Sequence, residues 1–313
     1  MNCALWHTSP TKSELRAVKP PPDTALVAVE SSFSMVSTGT ERLVATGRAA
    51  LAGAALDAPY VEGDFGFPIK YGYSLVGRDY SGNIVHCLHP HQSVAYVHAD
   101  DLYTLPESVS PRRAALLSNM ETVVMATWDV RLDDHQDVML CGFGNIGALL
   151  ANTLRLDKQL SPVIVETDKW RRDKAGALGF EAIAPEQYSG THARIIDSSC
   201  SAAGLQFCID HCAPDGIIVE LSWYGVDPLN VNLGGAFHRN RVQLLSSQVS
   251  TIPAHLQGRE TSASRKDIAS DLLADASFDE LITNEVAFAD SPAFFDALRD
   301  GRQGDGLIWL ITY

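Results

Sequence analysis

The first regular pattern along the chain is an alternation. Residues 24–36 (TALVAVESSFSMV) begin with apolar side chains at every second position, the period of a half-buried strand. Between 69 and 99 short β-type runs follow, in SLVGRDYSG, NIVHC and SVAYVHA. Many short strands between turn signals predict a compact β domain. The stretch 48–66, rich in Gly, Ala and Asp, reads as a loop with some helix.

At Pro111 the pattern changes. Ser110 and Pro111 supply an N-cap and a first-turn proline. The residues after them run helically to about Asp129. From Val138 short apolar runs alternate with helical segments: VMLCGFG, IGALLANTLRL, PVIVE, KWRRDKAGALG, ARIID, AGLQFCIDHCA and GIIVELSWYG. Strand–helix alternation at this spacing predicts βαβ units and a parallel sheet. In the tail, 266–275 and 292–299 read as helices and LIWLITY as a terminal strand.

Within that alternation sits Gly142-Phe143-Gly144-Asn145-Ile146-Gly147. It follows the apolar run Val138–Cys141 and opens a segment with Ile146, Leu149, Leu150 and Leu154 at helical spacing. The glycines permit a tight turn, close backbone approach to a pyrophosphate, and close helix–strand packing. The helix N-terminus adds N–H donors for phosphate. The next strand ends in Glu166, 19 residues past Gly147, where an acid reads the adenosine ribose hydroxyls. Its charge opposes a 2′-phosphate and favours NAD(H) over NADP(H). Arg171 and Arg172 nearby work the other way, unless they only solvate a helix face. Trp223 and Tyr224 follow a strand end, where ligands bind in open α/β sheets, and are candidates for the cofactor pocket or for simple packing.

Composition narrows the classes of function. A chain of 313 residues suits two domains, and 46% apolar residues supply a sizeable core. A net charge of −14 without a basic run argues against nucleic-acid binding and against adhesion to an anionic membrane. No apolar stretch reaches 18 residues, and MNCALWHTSP lacks the pattern of a signal peptide. Six scattered cysteines without export signals read as reduced thiols in a cytoplasm.

The order of a β-rich start, a nucleotide-type middle and a short return resembles the medium-chain dehydrogenase/reductase superfamily. The strings that carry this are Ser37-Thr38-Gly39-Thr40-Glu41, Tyr71-Gly72-Tyr73-Ser74 and LYTLPESVSPRRAALL. STGTER is similar to the branch with bacteriochlorophyllide 3-hydroxyethyl dehydrogenases. KYGYSLVG, HPHQ, VELSWYG and LGGAFHRNRVQLLSSQV resemble bacterial proteins labelled zinc-type alcohol dehydrogenases. The resemblance implies an α/β fold. A GroES-like β-rich catalytic domain (1–118 and 278–313) would join a Rossmann domain with a doubly wound parallel sheet (119–277), the active site lying in the cleft between them. It also implies a homodimer, with the VQLLSSQV strand near the joint, and a small-molecule substrate.

The zinc constellation departs from that family. Its first Cys position holds Thr38, its His position Tyr73, the adjacent Glu position Ser74, and the second Cys falls near Ser118. The lobe with four closely spaced cysteines is missing. No zinc is therefore expected. Without it, Tyr73 is the first candidate to donate to a substrate oxygen, or else it lines the site. Thr40 is a candidate proton relay or a local hydroxyl. Lys70 is a candidate to lower the tyrosine pKa, His89 to pass a proton to solvent, and Glu41 to orient groups. A conjugated enone or quinone would need no such donor. Arg239 and Arg241 are candidate anion clamps or a solvated turn. The clusters His86-Cys87-His89-His91 and Cys208–Cys212 read as satisfied histidines and packed thiols rather than metal sites. The reading is a zinc-independent oxidoreductase. The alternative is a nucleotide-binding sensor that has lost catalysis.

Overall fold

The computed structural model describes residues 2–51, 59–132 and 137–313. Part of the stretch read as a loop over 48–66 lies outside them. The chain forms two compact units: Met1–Asn119 with Gly225–Asp227 and Leu273–Tyr313, and Met120–Tyr224 with Pro228–Leu272.

In the first unit β1 (Cys3–Ser9) and β2 (Lys12–Ala17) form an antiparallel pair. The main sheet is built around β3 (Val27–Val36). β3 pairs antiparallel with β4 (Leu75–Arg78), β6 (Val94–Val97) and the terminal β15 (Ile308–Thr312). β5 (Ile84–Cys87) joins β4 to β7 (Tyr103–Thr104), and β14 (Ile282–Ala287) lies parallel to β15. The parallel pair is crossed over by α9 (Ser291–Arg299), as parallel strands require. That helix buries Phe294, Phe295 and Leu298 against Leu5, Val36, Trp309 and Ile311. After β3 the chain enters α1 (Thr38–Ala45). The Arg299 Nε donates to the Ala45 carbonyl at 3.0 Å and so satisfies the end of α1.

The helix expected after Ser110 is interrupted. α2 (Pro111–Ala114) is capped by the Ser110 hydroxyl, and α3 (Leu117–Val130) starts after a tight turn at Leu116. The Ala115 carbonyl accepts the Ser74 hydroxyl at 2.6 Å, so a strand-end side chain takes the acceptor at the break.

The second unit holds, among the described residues, a six-stranded sheet in the order β10-β9-β8-β11-β12-β13. Its strands are β8 (Val138–Cys141), β9 (Val163–Val165), β10 (Ala182–Ile183), β11 (His192–Asp197), β12 (Cys212–Glu220) and β13 (Gln243–Ser246). Every pairing is parallel. This is the doubly wound order, with its reversal between β8 and β11. β8 is buried along its whole length, as expected of a strand covered on both faces. The helices are α4 (Asn145–Asp157), α5 (Lys169–Ala177), α6 (Ala202–Asp210), the short α7 (Ala236–Arg239) and α8 (Ser262–Leu272). α8 starts earlier than the periodicity suggests. Thr261 and Ser264 exchange backbone and side-chain hydrogen bonds that cap it there. The two sheets, one mixed and GroES-like, one parallel and Rossmann-like, are the α/β architecture expected. Among the described residues no helix is long and apolar enough to cross a membrane.

Candidate functional site

The glycine turn joins the carboxyl end of β8 to α4. Gly142 has φ +92°, and its N–H donates to the Val165 carbonyl of β9 at 2.8 Å. On the other side, the Ser198 hydroxyl after β11 contacts the Cys141 and Gly142 carbonyls at 3.1 and 3.2 Å. A Cβ on Gly147 would fall 2.2 Å from the Gly142 oxygen, so helix and turn meet only because this residue lacks one. Gly144 caps α4 without a side-chain acceptor. Asn145 (buried), Ile146 (half-buried) and Gly147 make the first turn, whose N–H groups suit an anion.

Glu166 is 6% exposed and reaches back to the turn. Its Oε2 accepts the Phe143 N–H at 2.7 Å and its Oε1 the Asp168 N–H at 2.8 Å. The Arg171 guanidinium stands 4.0 Å from Oε2, and Arg172 donates to the Glu166 and Thr167 carbonyls. At the ends of β11 and β12 a second acidic pair appears. Asp197 is fully buried, and burial followed by the Glu220 charge raises its carboxyl to about 7. Glu220 accepts the Ser222 N–H at 2.7 Å and the Tyr224 hydroxyl at 3.0 Å. Tyr224 is thus tied to a carboxylate, while Trp223 is 39% exposed. Arg241 pairs with Asp215 at 2.7 Å on the surface.

In the first unit the loop before β4 brings Tyr73 to the start of α1. Burial pushes the Tyr73 hydroxyl up to about 12 against hydrogen bonding with Ser37 and Thr40, so it is protonated at neutral pH. Glu41, beside them, is fully buried and accepts the Ser37 N–H at 2.7 Å and the His91 Nε2–H at 2.8 Å. The other His91 nitrogen contacts Ser34 at 2.7 Å, and Ser34 contacts the Tyr313 hydroxyl at 2.8 Å. A polar chain therefore runs from the C-terminal tyrosine to Glu41.

Lys70 and His89 are placed elsewhere. The Lys70 ammonium is 4% exposed and is bonded to Glu62 and, at 3.3 Å, to Gln92. It is not among the groups that shift Tyr73. His89 is buried, contacts the Pro90 carbonyl at 2.8 Å and lies tilted against the Tyr60 ring, with centroids 5.4 Å apart. Burial, against that hydrogen bond and with the Lys70 charge, pushes it down to about 3. It is a neutral ring at physiological pH, without the protonation change that a shuttle to solvent needs.

The positions where the resemblance would put zinc ligands do not fit that ion. The Ser74 hydroxyl donates to Ala115 and the Ser118 hydroxyl to Tyr73, at 2.6 and 2.7 Å. Both serine oxygens then lie 3.1 Å from His86 Nε2 and share its single N–H as acceptors. With Thr38 and Tyr73 they form a hydroxyl set, and hydroxyls are poor zinc donors at neutral pH. The histidines near Cys87 do not converge: His86 faces serines, His89 a carbonyl, and His91 Glu41 and Ser34.

An alcohol dehydrogenase from Escherichia coli complexed with NADH matches over 100% of this chain and 99% of its own, at 15% identity and TM-score 0.77. The yhdH oxidoreductase from Salmonella enterica in complex with NADP covers 100% of both chains at 18% identity and TM-score 0.74. L-idonate 5-dehydrogenase from Escherichia coli covers 100% of this chain and 98% of its own, at 12% identity and TM-score 0.78. The chain shares the fold of these dehydrogenases. No protein-family model matches it, and no curated protein matches it in sequence.

Sequence reasoning missed several polar groups. His91, Ser34 and Tyr313 lie far apart in the chain, and no local spacing links them to Glu41. Asp197 and Glu220 each end a parallel strand, and that position was a usable signal. Cys208, grouped by sequence with His211 and Cys212, instead meets Cys141 and Asp197.

Proposed function

We propose that the protein is a nicotinamide-dependent oxidoreductase. It would move a hydride between NAD(H) and a carbonyl/alcohol pair, or a conjugated enone or quinone, without zinc at the catalytic position. The glycine turn carries this reading: Gly142 and Gly147 occupy positions that a Cβ would close, at the carboxyl edge of a doubly wound sheet. Gly142, Gly144, Asn145, Ile146 and Gly147 would hold the pyrophosphate, Glu166 the adenosine ribose, and Trp223 and Tyr224 would border the pocket. When bound, the cofactor supplies or accepts the hydride. The fold likeness to dehydrogenases supports the class of chemistry.

Tyr73 acts as an acid. It holds its proton at neutral pH and gives it to the substrate oxygen during reduction. Thr40 and Ser37, hydrogen-bonded at its hydroxyl, pass a replacement proton inward. With an enone or quinone, delocalisation takes over the charge and Tyr73 only lines the site. Glu166 favours NAD(H), because its paired Arg171 is partly neutralised and a 2′-phosphate would meet the carboxylate. The enzyme would work as a homodimer along the edge strand β13, where Leu244 and Leu245 are exposed. The hydroxyl set at the ligand positions also favours a second reading, a nucleotide sensor without turnover.

Titration with NADH and NADPH, followed by a panel of ketones, enones and quinones, tests this. NADH binding with turnover supports the enzyme. Tight binding without turnover on any class supports the sensor, and no nucleotide binding removes both. Tighter NADPH binding refutes the Glu166 argument.

A further inference from the structure

We propose that Cys141, Asp197 and Cys208 form a buried zinc site in the Rossmann unit, distinct from any catalytic metal position and independent of the reaction proposed above. One donor atom from each residue lies within 4.8 Å of the others. The three come from separate elements: the last residue of β8, the last of β11, and the middle of α6. Cys141 is 5% exposed, and Asp197 and Cys208 are fully buried. The cysteines are free thiols.

Asp197 is incompletely satisfied. Its Oδ1 accepts the Ser199 N–H at 2.8 Å, but its Oδ2 has no hydrogen-bond partner. Glu220 stands beside it with both oxygens engaged by Ser222 and Tyr224. The Cys141 thiol lies 3.9 Å from the Gly204 carbonyl and is hydrogen-bonded with the Cys208 thiol. Two carboxylates and two thiols thus gather, and no cationic side chain acts on Asp197 or Cys208. A cation, or a proton shared by the carboxylates, supplies what is missing.

Two thiolates and a carboxylate suit zinc and are a poor set for magnesium or calcium. Tetrahedral zinc holds such donors about 3.5–3.8 Å apart, so side-chain rotations of about 1 Å close this group. Binding would release the thiol protons, and two thiolates with one carboxylate would leave the zinc centre with a single negative charge. The three protein donors fill three of the four tetrahedral positions and leave the fourth to a water, and because they are buried the ion would enter as the chain folds. Its position gives it a consequence. Cys141 precedes Gly142, and Asp197 precedes Ser198, whose hydroxyl contacts the Cys141 and Gly142 carbonyls. The ion would brace the glycine turn.

The test is full-length protein expressed in zinc- or cobalt-supplemented medium and washed with EDTA. About one zinc per chain is expected, and the cobalt form should show thiolate charge-transfer absorption with tetrahedral visible bands. Cys208→Ser and Asp197→Asn should lose the ion, while Cys87→Ser, a buried thiol in the other unit, should keep it. Wild-type protein that retains no metal overturns the site and leaves the shared proton. Cobalt without thiolate absorption, or zinc retained equally by Cys208→Ser, overturns it too. If a variant fails to fold, the wild-type cobalt spectrum decides alone.

Discussion

Glu41 shows how a single buried carboxyl can be satisfied by partners far apart in the chain. Both carboxylate oxygens receive donors, from the Ser37 backbone and the His91 ring. Glu41→Gln keeps the shape but turns an amide N–H toward one of those donors. A loss of about 2–3 kcal/mol in urea unfolding is expected, and an unchanged midpoint would show that these two hydrogen bonds do not stabilise the fold. Tyr73 is the residue for catalysis. Tyr73→Phe should lower turnover about 10²–10³-fold at unchanged NADH affinity. Unchanged turnover would reduce it to lining. The sequence pointed to Glu41 and Tyr73 by resemblance. It did not show that Lys70 turns to Glu62 and Gln92, because that choice depends on a neighbouring loop and not on spacing.

At the scale of elements, the β8–turn–α4 unit was legible. Its strand is wholly apolar, its glycines fall where backbone must approach backbone, and its helix repeats at i, i+3 and i+4. Gly147→Ala puts a methyl 2.2 Å from the Gly142 oxygen and should weaken NADH binding at least ~10-fold, read by fluorescence titration. Wild-type affinity in that variant would mean the turn does not hold the nucleotide. Other elements were not legible. β1 and β2 mix polar and apolar positions, and β14 gains its strand character from pairing with β15. At the break between α2 and α3 the Ala115 carbonyl accepts the hydroxyl of Ser74, a residue 41 positions away.

For the whole molecule, pH acts through buried neutral imidazoles. His7 and His89 are both pushed down to about 3, chiefly by burial, with Arg299 beside His7 and Lys70 beside His89. Unfolded histidines titrate near 6.5, so below that pH the unfolded chain binds more protons. Stability is therefore complete above about pH 6.5 and falls toward pH 3, by up to about 1.4 kcal/mol per pH unit for each ring. Urea midpoints between pH 7.5 and 5 measure this. His89→Asn, which keeps a donor toward the Pro90 carbonyl, should flatten the slope. An equal slope in that variant would assign the loss to other groups.

The sequence by itself determined the two kinds of layer and the nucleotide-type turn, because hydrophobic period and glycine are local properties of the chain. Tertiary structure alone decided which polar groups meet. His91 reaches Glu41 across 50 positions, Ser34 reaches Tyr313 across 279, and Cys141, Asp197 and Cys208 converge from two strand ends and a helix. Buried polar side chains take the partners that folding brings within hydrogen-bond distance, and one-dimensional spacing does not encode that meeting.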